Sequence, residues 1–119
     1  MLRSVCKSKI SRATVTRKDL HYDGSITLDR ALMEAAKILP YERVQVLNVN
    51  NGERFETYAL VATEKDAVIC LNGPAARLGE IGDIVTIISY ALLEEDACQG
   101  WKPTIVEVDG KNRVVKTTG

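Results

Sequence analysis

The sequence predicts a mainly β fold, a small β-barrel that carries one short amphipathic helix. Short runs rich in β-branched and apolar residues, separated by turn signals, occupy most of the 119 residues. A single segment has helical periodicity. Hydrophobic residues make up 45% and charged residues 27%, with no linker, repeat or low-complexity tract, so we expect one globular domain over residues 1–119.

The strands are predicted from alternation and from turns. They are 13–16, 44–49, 54–61, 67–71, 83–92, 104–108 and 113–116. Asn51-Gly52 predicts a hairpin between the second and third of these, because both central residues of the favoured turn need positive φ. A second hairpin is predicted at 109–112. Period-two geometry places Arg54 and Tyr58 on one face of their strand and Thr57 on the other.

The helix is predicted from an apolar stripe. The stripe positions are Leu28, Ala31, Leu32, Ala35, Ala36 and Leu39. Thr27 is the predicted N-cap, and Asp29 suits the positive end of the helix dipole. Pro40 ends the helix because the residue before a proline avoids the helical region.

Charge and composition exclude several classes of protein. Sixteen basic and sixteen acidic residues give no net charge, unlike a general nucleic-acid or membrane-surface binder. The longest apolar run, 84–93, is too short to span a bilayer, and no signal peptide is visible. Three cysteines cannot all pair within one chain and have no paired-ligand spacing, which predicts a reducing, cytoplasmic compartment. With one histidine and scattered cysteines, no metal site is expected.

The first eighteen residues contain six basic side chains and no acid. They are typical of a solvated edge strand, on which lysine blocks strand addition. Alternatively, one or two of them point into a site for a small acidic ligand.

Few motifs could carry chemistry. One histidine leaves no Ser-His-Asp arrangement, and no phosphate-binding glycine loop is present. Tyr22-Asp23-Gly24-Ser25 remains, just before the predicted helix, and on its own is typical of a turn.

An ordered set of segments gives that tetrapeptide more weight. The set is Lys7-Ser8-Lys9-Ile10, Arg12-Ala13-Thr14-Val15-Thr16, Asp19-Leu20-His21-Tyr22, Gly24-Ser25-Ile26-Thr27, Asn51-Gly52-Glu53-Arg54-Phe55, Thr57-Tyr58-Ala59, Asn72-Gly73, Gly82-Asp83 and Lys102-Pro103-Thr104. It covers nearly the whole chain and resembles the aspartate 1-decarboxylase family. Many members have histidine, tryptophan and alanine where this chain has Ser11, Leu47 and Pro74.

The resemblance implies a double-psi β-barrel, a homotetramer and a cytoplasmic, pyruvoyl-dependent decarboxylase. The chain would be a zymogen that cleaves itself before Ser25, giving a β chain (1–24) and an α chain (25–119). The pyruvoyl group, made from Ser25, would hold L-aspartate as a Schiff base and release carbon dioxide and β-alanine, for pantothenate and coenzyme A. The resemblance implies no metal, nucleic acid or membrane.

The resemblance also assigns roles to individual residues. Ser25 and Tyr58 would be catalytic, the tyrosine as general acid. Cleavage would involve Gly24 and Ser25, with help from Thr57; Gly24 suits this role because glycine adopts backbone conformations that other residues resist. The substrate-binding residues would be Lys9, Arg54, Thr57, Asn72, Gly73, Pro74 and Ala75.

Simpler interpretations stay open. Arg54 and Glu56 could form a surface cross-strand pair, Tyr58 could be a half-buried barrel tyrosine, and 72–74 an ordinary turn. Because Thr57 and Tyr58 lie on opposite faces of an ideal strand, one shared site requires a twist, a bulge or a subunit interface. The chain could also be a non-enzymatic β-barrel interaction module with Gly24-Ser25 intact, or a pyruvoyl enzyme for another amino acid such as glutamate.

Overall fold

The computed structural model describes residues 1–119, and strands dominate it. Its elements are β1 (Leu2–Thr14), β2 (Arg17–Asp19), β3 (Ser25–Leu28), α1 (Arg30–Ala35), β4 (Arg43–Asn48), β5 (Arg54–Val61), β6 (Ile69–Asn72), a 3₁₀ turn (Gly73–Arg77), β7 (Ile84–Glu94), α2 (Glu95–Cys98), β8 (Thr104–Val108) and β9 (Val114–Thr118). The mainly β class with a short helix is confirmed. Neither α-helix has the length and apolar composition needed to cross a membrane.

The sheet curls back on itself. Its hydrogen-bonded order is β2-β6-β3-β5-β4-β7-β1-β8-β9. β2 begins the order, yet along the chain it continues β1 after only Val15 and Thr16. Thr16 donates its N–H to the Ile69 carbonyl at 2.8 Å, and Val15 accepts from Gly82 at 2.8 Å, which secures this junction. The mixture of parallel and antiparallel pairs around the curl agrees with the expected double-psi β-barrel.

The core lies inside the curl and is filled by aliphatic side chains. β4 alternates between buried and less buried residues, as expected for a strand with one face toward the core. Leu32 and Met33 of α1 are also buried in it. The largest side chains with less than 2% exposure are Ile10, Ile26, Leu28, Leu32, Ile69, Leu71 and Ile87, with five valines.

Both predicted hairpins are present, but the first has a different turn. β4 and β5 pair with Leu47 opposite Arg54. Gly52 has φ +76°, whereas Asn51 does not have positive φ, so the two-residue turn geometry was a wrong prediction. The longer turn is organised by buried Asn48, whose Oδ1 accepts from the Asn50 N–H at 2.8 Å.

The helix is shorter than predicted, and its cap differs. α1 begins at Arg30, and its N-cap is Asp29 rather than Thr27; the Asp29 carboxylate accepts from the Ala31 N–H at 3.0 Å. The residues before it form β3, which pairs with β5 on one side and β6 on the other. Leu28, the first residue of the predicted apolar stripe, is therefore in a strand rather than a helix, because β3 is hydrogen-bonded on both sides. Lys37, with φ +58°, ends the helical path before Pro40.

The basic N-terminal segment is an edge over most of its length. Residues 2–7 of β1 pair only with β7, and β2, which carries Arg17 and Lys18, ends the sheet order. The edge interpretation fails for Lys9, because residues 8–10 pair with both β7 and β8. The cations of the segment largely find partners within the chain. The ion pairs are Arg3–Glu95 at 2.5 Å, Lys7–Glu42 at 2.8 Å, Arg17–Glu64 at 2.7 Å and Lys18–Glu80 at 3.1 Å. Lys9 and Arg12 form no ion pair, which leaves them available for another anion.

Candidate active site

Ser25 begins β3 and is fully buried. Its hydroxyl donates to the Asp23 carbonyl at 3.2 Å. The same oxygen accepts a hydrogen bond from Nδ2 of Asn72 at 2.9 Å, since Asn72 is the register partner of Ser25 on β6. The serine oxygen is thus held on two sides, out of contact with solvent.

Asn72 is the centre of a small polar network. Its Nδ2 also donates to Oγ1 of Thr27 at 2.9 Å, and its Oδ1 accepts from the Cys70 thiol at 3.2 Å. The sequence analysis assigned neither Thr27 nor Cys70 to this site. The missed signal was the β3–β6 register, which sets Thr27 opposite Cys70 two residues from Ser25 and Asn72.

The parallel pair β3–β5 brings the cleavage site to Thr57 and Tyr58. Ile26 pairs with Ala59. The register begins at this pair, one residue after Ser25 on β3 and one residue after Tyr58 on β5. Gly24, Thr57 and Tyr58 line one cavity, so the scissile peptide predicted from the sequence lies near the two β5 residues predicted to act on it.

A cavity of about 340 Å³ opens where β5 has no partner on its β3 side. Its lining residues are Gly24, Phe55, Glu56, Thr57, Tyr58, Pro74, Ala75 and Leu78. Thr57 and Tyr58 both reach it although they point to opposite faces, because residues 54–58 pair only with β4 and leave their other edge open. An open strand edge, rather than a bulge, resolves that expected conflict.

The turn after β6 packs against the segment that leads to Ser25. Gly73 has φ +61°, and a Cβ there would lie 2.6 Å from the Tyr22 carbonyl oxygen. Glycine is therefore required at 73 for two independent reasons. Gly24 does not have positive φ, so the special backbone conformation expected there is absent. Its constraint is instead the Pro74 ring, whose Cδ would lie 3.3 Å from an added Cβ.

Lys9 and Arg54 are not brought to this cavity within one chain. Lys9 lies opposite Ile88 of β7, and Ile88 lies opposite Gln45 of β4. Gln45 in turn lies opposite Glu56 of β5, which lines the cavity. The backbone of Lys9 is therefore three strand spacings, roughly 14 Å, from that of Glu56. Arg54 is exposed, does not line the cavity and forms no ion pair, because Glu56 pairs with Arg43. The Arg54–Glu56 surface pair is therefore wrong.

A second cavity, about 290 Å³, is lined by residues including Tyr22, Thr27, Cys70 and Asn72. A larger cavity, about 480 Å³, is lined by residues including Arg43, Gln45 and Tyr90, and it contains none of the predicted site residues. No group of three or more His, Cys, Asp and Glu side chains is placed to hold a metal ion.

Comparison with known proteins shows the family of this chain. A sequence model of the family described as aspartate decarboxylase matches residues 1–115. A protein named aspartate 1-decarboxylase from Syntrophus aciditrophicus is 55% identical over 96% of this chain and 98% of its own length. Proteins of the same name from Pelotomaculum thermopropionicum and Leptospira biflexa are 54% and 53% identical, each over 98% of this chain and over 88% and 99% of their own lengths.

The fold and these relatives define a carboxy-lyase, an enzyme that removes a carboxyl group from its substrate. The expected enzyme class is confirmed. The chain belongs to the aspartate decarboxylase family.

Proposed function

We propose that this chain cleaves itself between Gly24 and Ser25 and then converts L-aspartate to β-alanine and carbon dioxide. The observation that carries the proposal is the cavity in which Gly24 meets Thr57 and Tyr58 while the Ser25 hydroxyl is held by Asn72. The relatives' names support the substrate.

Cleavage uses the buried serine as an internal nucleophile. Ser25 Oγ attacks the carbonyl carbon of Gly24, the peptide C–N bond breaks, and the hydroxyl proton moves to the departing amine, which leaves an ester. Loss of the Cα proton of residue 25 then breaks its Cβ–Oγ bond and releases Gly24 as a carboxylate. Water replaces the nitrogen on Cα, ammonia leaves, and a ketone remains. Burial of Ser25 keeps bulk water from hydrolysing the ester first.

Thr57 assists the first step. Thr57 and Gly24 line the same cavity. A hydroxyl there donates a hydrogen bond to the Gly24 carbonyl oxygen as negative charge develops on it. This is the role that the family resemblance assigned to Thr57.

The residues around position 25 fit a pyruvoyl group. Position 25 is fully buried, adjoins a cavity lined by Tyr58 and Ala75, and faces the amide of Asn72. When present, the pyruvoyl group supplies an electron sink for the pair left behind by carbon dioxide. Tyr58 delivers a proton to the carbon that loses its carboxyl group. The turn Gly73-Pro74-Ala75 closes one side of the cavity, which Pro74 and Ala75 line.

Lys9 and Arg54 complete the site from a neighbouring copy in a homotetramer. Both lack a carboxylate partner within the chain and both lie outside the cavity, so a second subunit is the simplest source of cations for it. The side-chain carboxylate of aspartate keeps its charge throughout the reaction, and a guanidinium binds it with two hydrogen bonds. Three free cysteines fit a cytoplasmic enzyme that supplies β-alanine for pantothenate and coenzyme A.

Denaturing mass spectrometry tests the proposal. We expect two fragments, residues 1–24 and 25–119, and β-alanine when the processed protein receives aspartate. Ser25→Ala should give one full-length mass and no product. A wild-type chain of one mass without activity would support the interaction module instead. Product from glutamate rather than aspartate would change the substrate while keeping the mechanism.

A further inference from the structure

The side-chain amide of Asn72 can be placed in two orientations, which exchange its oxygen and its NH2 group. In the observed orientation the NH2 group faces the hydroxyls of Ser25 and Thr27, both at 2.9 Å. A hydroxyl donates as well as accepts, so Thr27 satisfies either orientation. Ser25 already donates its proton to the Asp23 carbonyl and therefore favours the observed orientation. The third partner of the amide favours the same orientation more strongly.

That third partner is Cys70, whose sulfur lies 3.2 Å from Oδ1 of Asn72. A thiol has one proton to donate and is only a weak acceptor. Turning the amide over would point its NH2 group at sulfur and leave a buried donor poorly satisfied. Cys70 is 9% exposed, and burial raises the pKa of its thiol above the ordinary value, so the proton is present at neutral pH.

We infer that Cys70 is a positioning residue for self-cleavage: its thiol proton holds the Asn72 amide with the NH2 group toward Ser25 Oγ. This inference rests on the proposed function, and it adds a residue that the family resemblance did not assign. Thr27 acts with Cys70 by accepting the second N–H of the same amide. The amide is thereby fixed at both ends.

The orientation matters because of what happens to Ser25 Oγ. In the elimination step this oxygen leaves residue 25 and becomes part of the Gly24 carboxylate. An N–H donor aimed at it stabilises the negative charge as it forms, and costs no reorganisation because it is already in place. An amide oxygen in the same position would repel that charge. The thiol proton therefore acts on the cleavage rate through Asn72, without touching the reacting atoms.

The experiment compares variants of residue 70 that differ in one hydrogen-bond donor. Cys70→Ser retains an O–H donor, and Cys70→Ala has nearly the same small size without a donor. Freshly purified or refolded full-length chain is incubated at constant temperature, and uncleaved and cleaved masses are quantified over time. Loss of one neutral hydrogen bond predicts roughly three- to tenfold slower cleavage for Cys70→Ala than for Cys70→Ser. Cys98→Ala, which alters a thiol on α2, is the control and should cleave at the wild-type rate.

Equal rates for Cys70→Ser and Cys70→Ala overturn the inference, because a packing role alone would not separate them. If Cys70→Ala shows no cooperative thermal melt, Cys70→Thr and Cys70→Val replace the pair, since they match in shape and differ in the hydroxyl. Equal rates for that pair overturn the inference too. Failure of the proposed function looks different: the wild-type chain itself would stay uncleaved.

Discussion

The ring of Tyr41 stacks on the ring of Tyr58, with centroids 6.3 Å apart and planes 30° apart. Tyr58 is half-buried and lines the cavity, whereas Tyr41 is 75% exposed and has φ +70°. A non-glycine residue with positive φ is uncommon, and here the strained backbone carries a ring that supports the proposed general acid. The position of the phenol therefore depends on an exposed residue that does not line the cavity.

Replacing Tyr41 should affect decarboxylation more than cleavage. Tyr41→Ala removes the stacked ring, and aromatic pairs contribute about 1 kcal/mol, so kcat for aspartate should fall roughly fivefold. Steady-state kinetics on fully cleaved protein measures this. Tyr90→Ala is the matched control, because it removes an exposed tyrosine from the other, larger cavity. An unchanged kcat in Tyr41→Ala would show that Tyr58 holds its position without the stack.

Thr57→Val should accumulate uncleaved chain while keeping the fold. Valine matches threonine in shape but has no hydroxyl to donate to the Gly24 carbonyl. Loss of one such donor typically slows a step by about a hundredfold or more. The uncleaved fraction is followed by denaturing mass spectrometry, and circular dichroism verifies the fold. Thr63→Val, on an exposed residue after β5, serves as control. Cleavage of Thr57→Val at the wild-type rate would remove its assigned role.

Arg54→Met should reduce the preference for aspartate over alanine. Losing a hydrogen bond to a charged group costs about 2 kcal/mol, which lowers kcat/KM for aspartate roughly thirtyfold. Alanine has no second carboxylate, so its kcat/KM should change little. The measurement needs fully processed protein with its pyruvoyl content determined separately. A constant ratio of the two values would shift the specificity role to Lys9 or to the turn at Gly73.

Acid should weaken the fold through Glu42. Burial alone would raise the pKa of this carboxyl, but hydrogen bonds from Lys7, Ser89 and the Leu39 N–H outweigh it and lower the pKa. Because the pKa of Glu42 is lower in the folded state, its carboxylate stabilises the fold at pH values above its ordinary pKa of 4.5. That stabilisation is lost as the pH falls through the folded-state pKa. Thermal melts of wild type and Glu42→Gln should therefore differ by about 2 kcal/mol at pH 7 and converge in acid. A difference that stays constant as the pH falls below 4.5 would contradict this account.

Asn112 ties the second hairpin to the barrel. Its Nδ2 donates to the carbonyls of Thr14 and Ala67 at 2.9 and 3.1 Å, and its Oδ1 accepts from the Thr14 N–H at 2.7 Å. Asn112→Ala leaves these buried backbone groups without partners and should lower the free energy of unfolding by about 3 kcal/mol. Urea titration measures the loss. Lys111→Ala, on the neighbouring exposed residue, should be nearly neutral.

The sequence predicted the elements whose signals are local. β5 and β8 have the predicted bounds because alternation and flanking turns define them. β3 was missed because Ile26 and Leu28 form a strand only through partners from β5 and β6, which are distant in sequence. Non-local pairing also sets Ser25 opposite Asn72, and the folded chain brings Gly24 and Thr57 to one cavity. Roles for these residues could be predicted by resemblance. The contacts of Thr27 and Cys70 could not, because they depend on the β3–β6 register. The contact of Tyr41 depends on the positive φ of its backbone before β4.

The position of β1 gives self-cleavage a consequence for assembly. Residues 1–24 contain β1, which is hydrogen-bonded between β7 and β8, and β2, which pairs with β6. A cut after Gly24 would therefore produce two polypeptides interleaved in one barrel, with no surface along which they could simply separate. Before such a cut, folding of the barrel would involve one chain only. After it, a denatured sample would have to bring two chains together, so recovery of the native state would depend on protein concentration. The cleaved protein would then be a heterodimer whose two chains had folded as one.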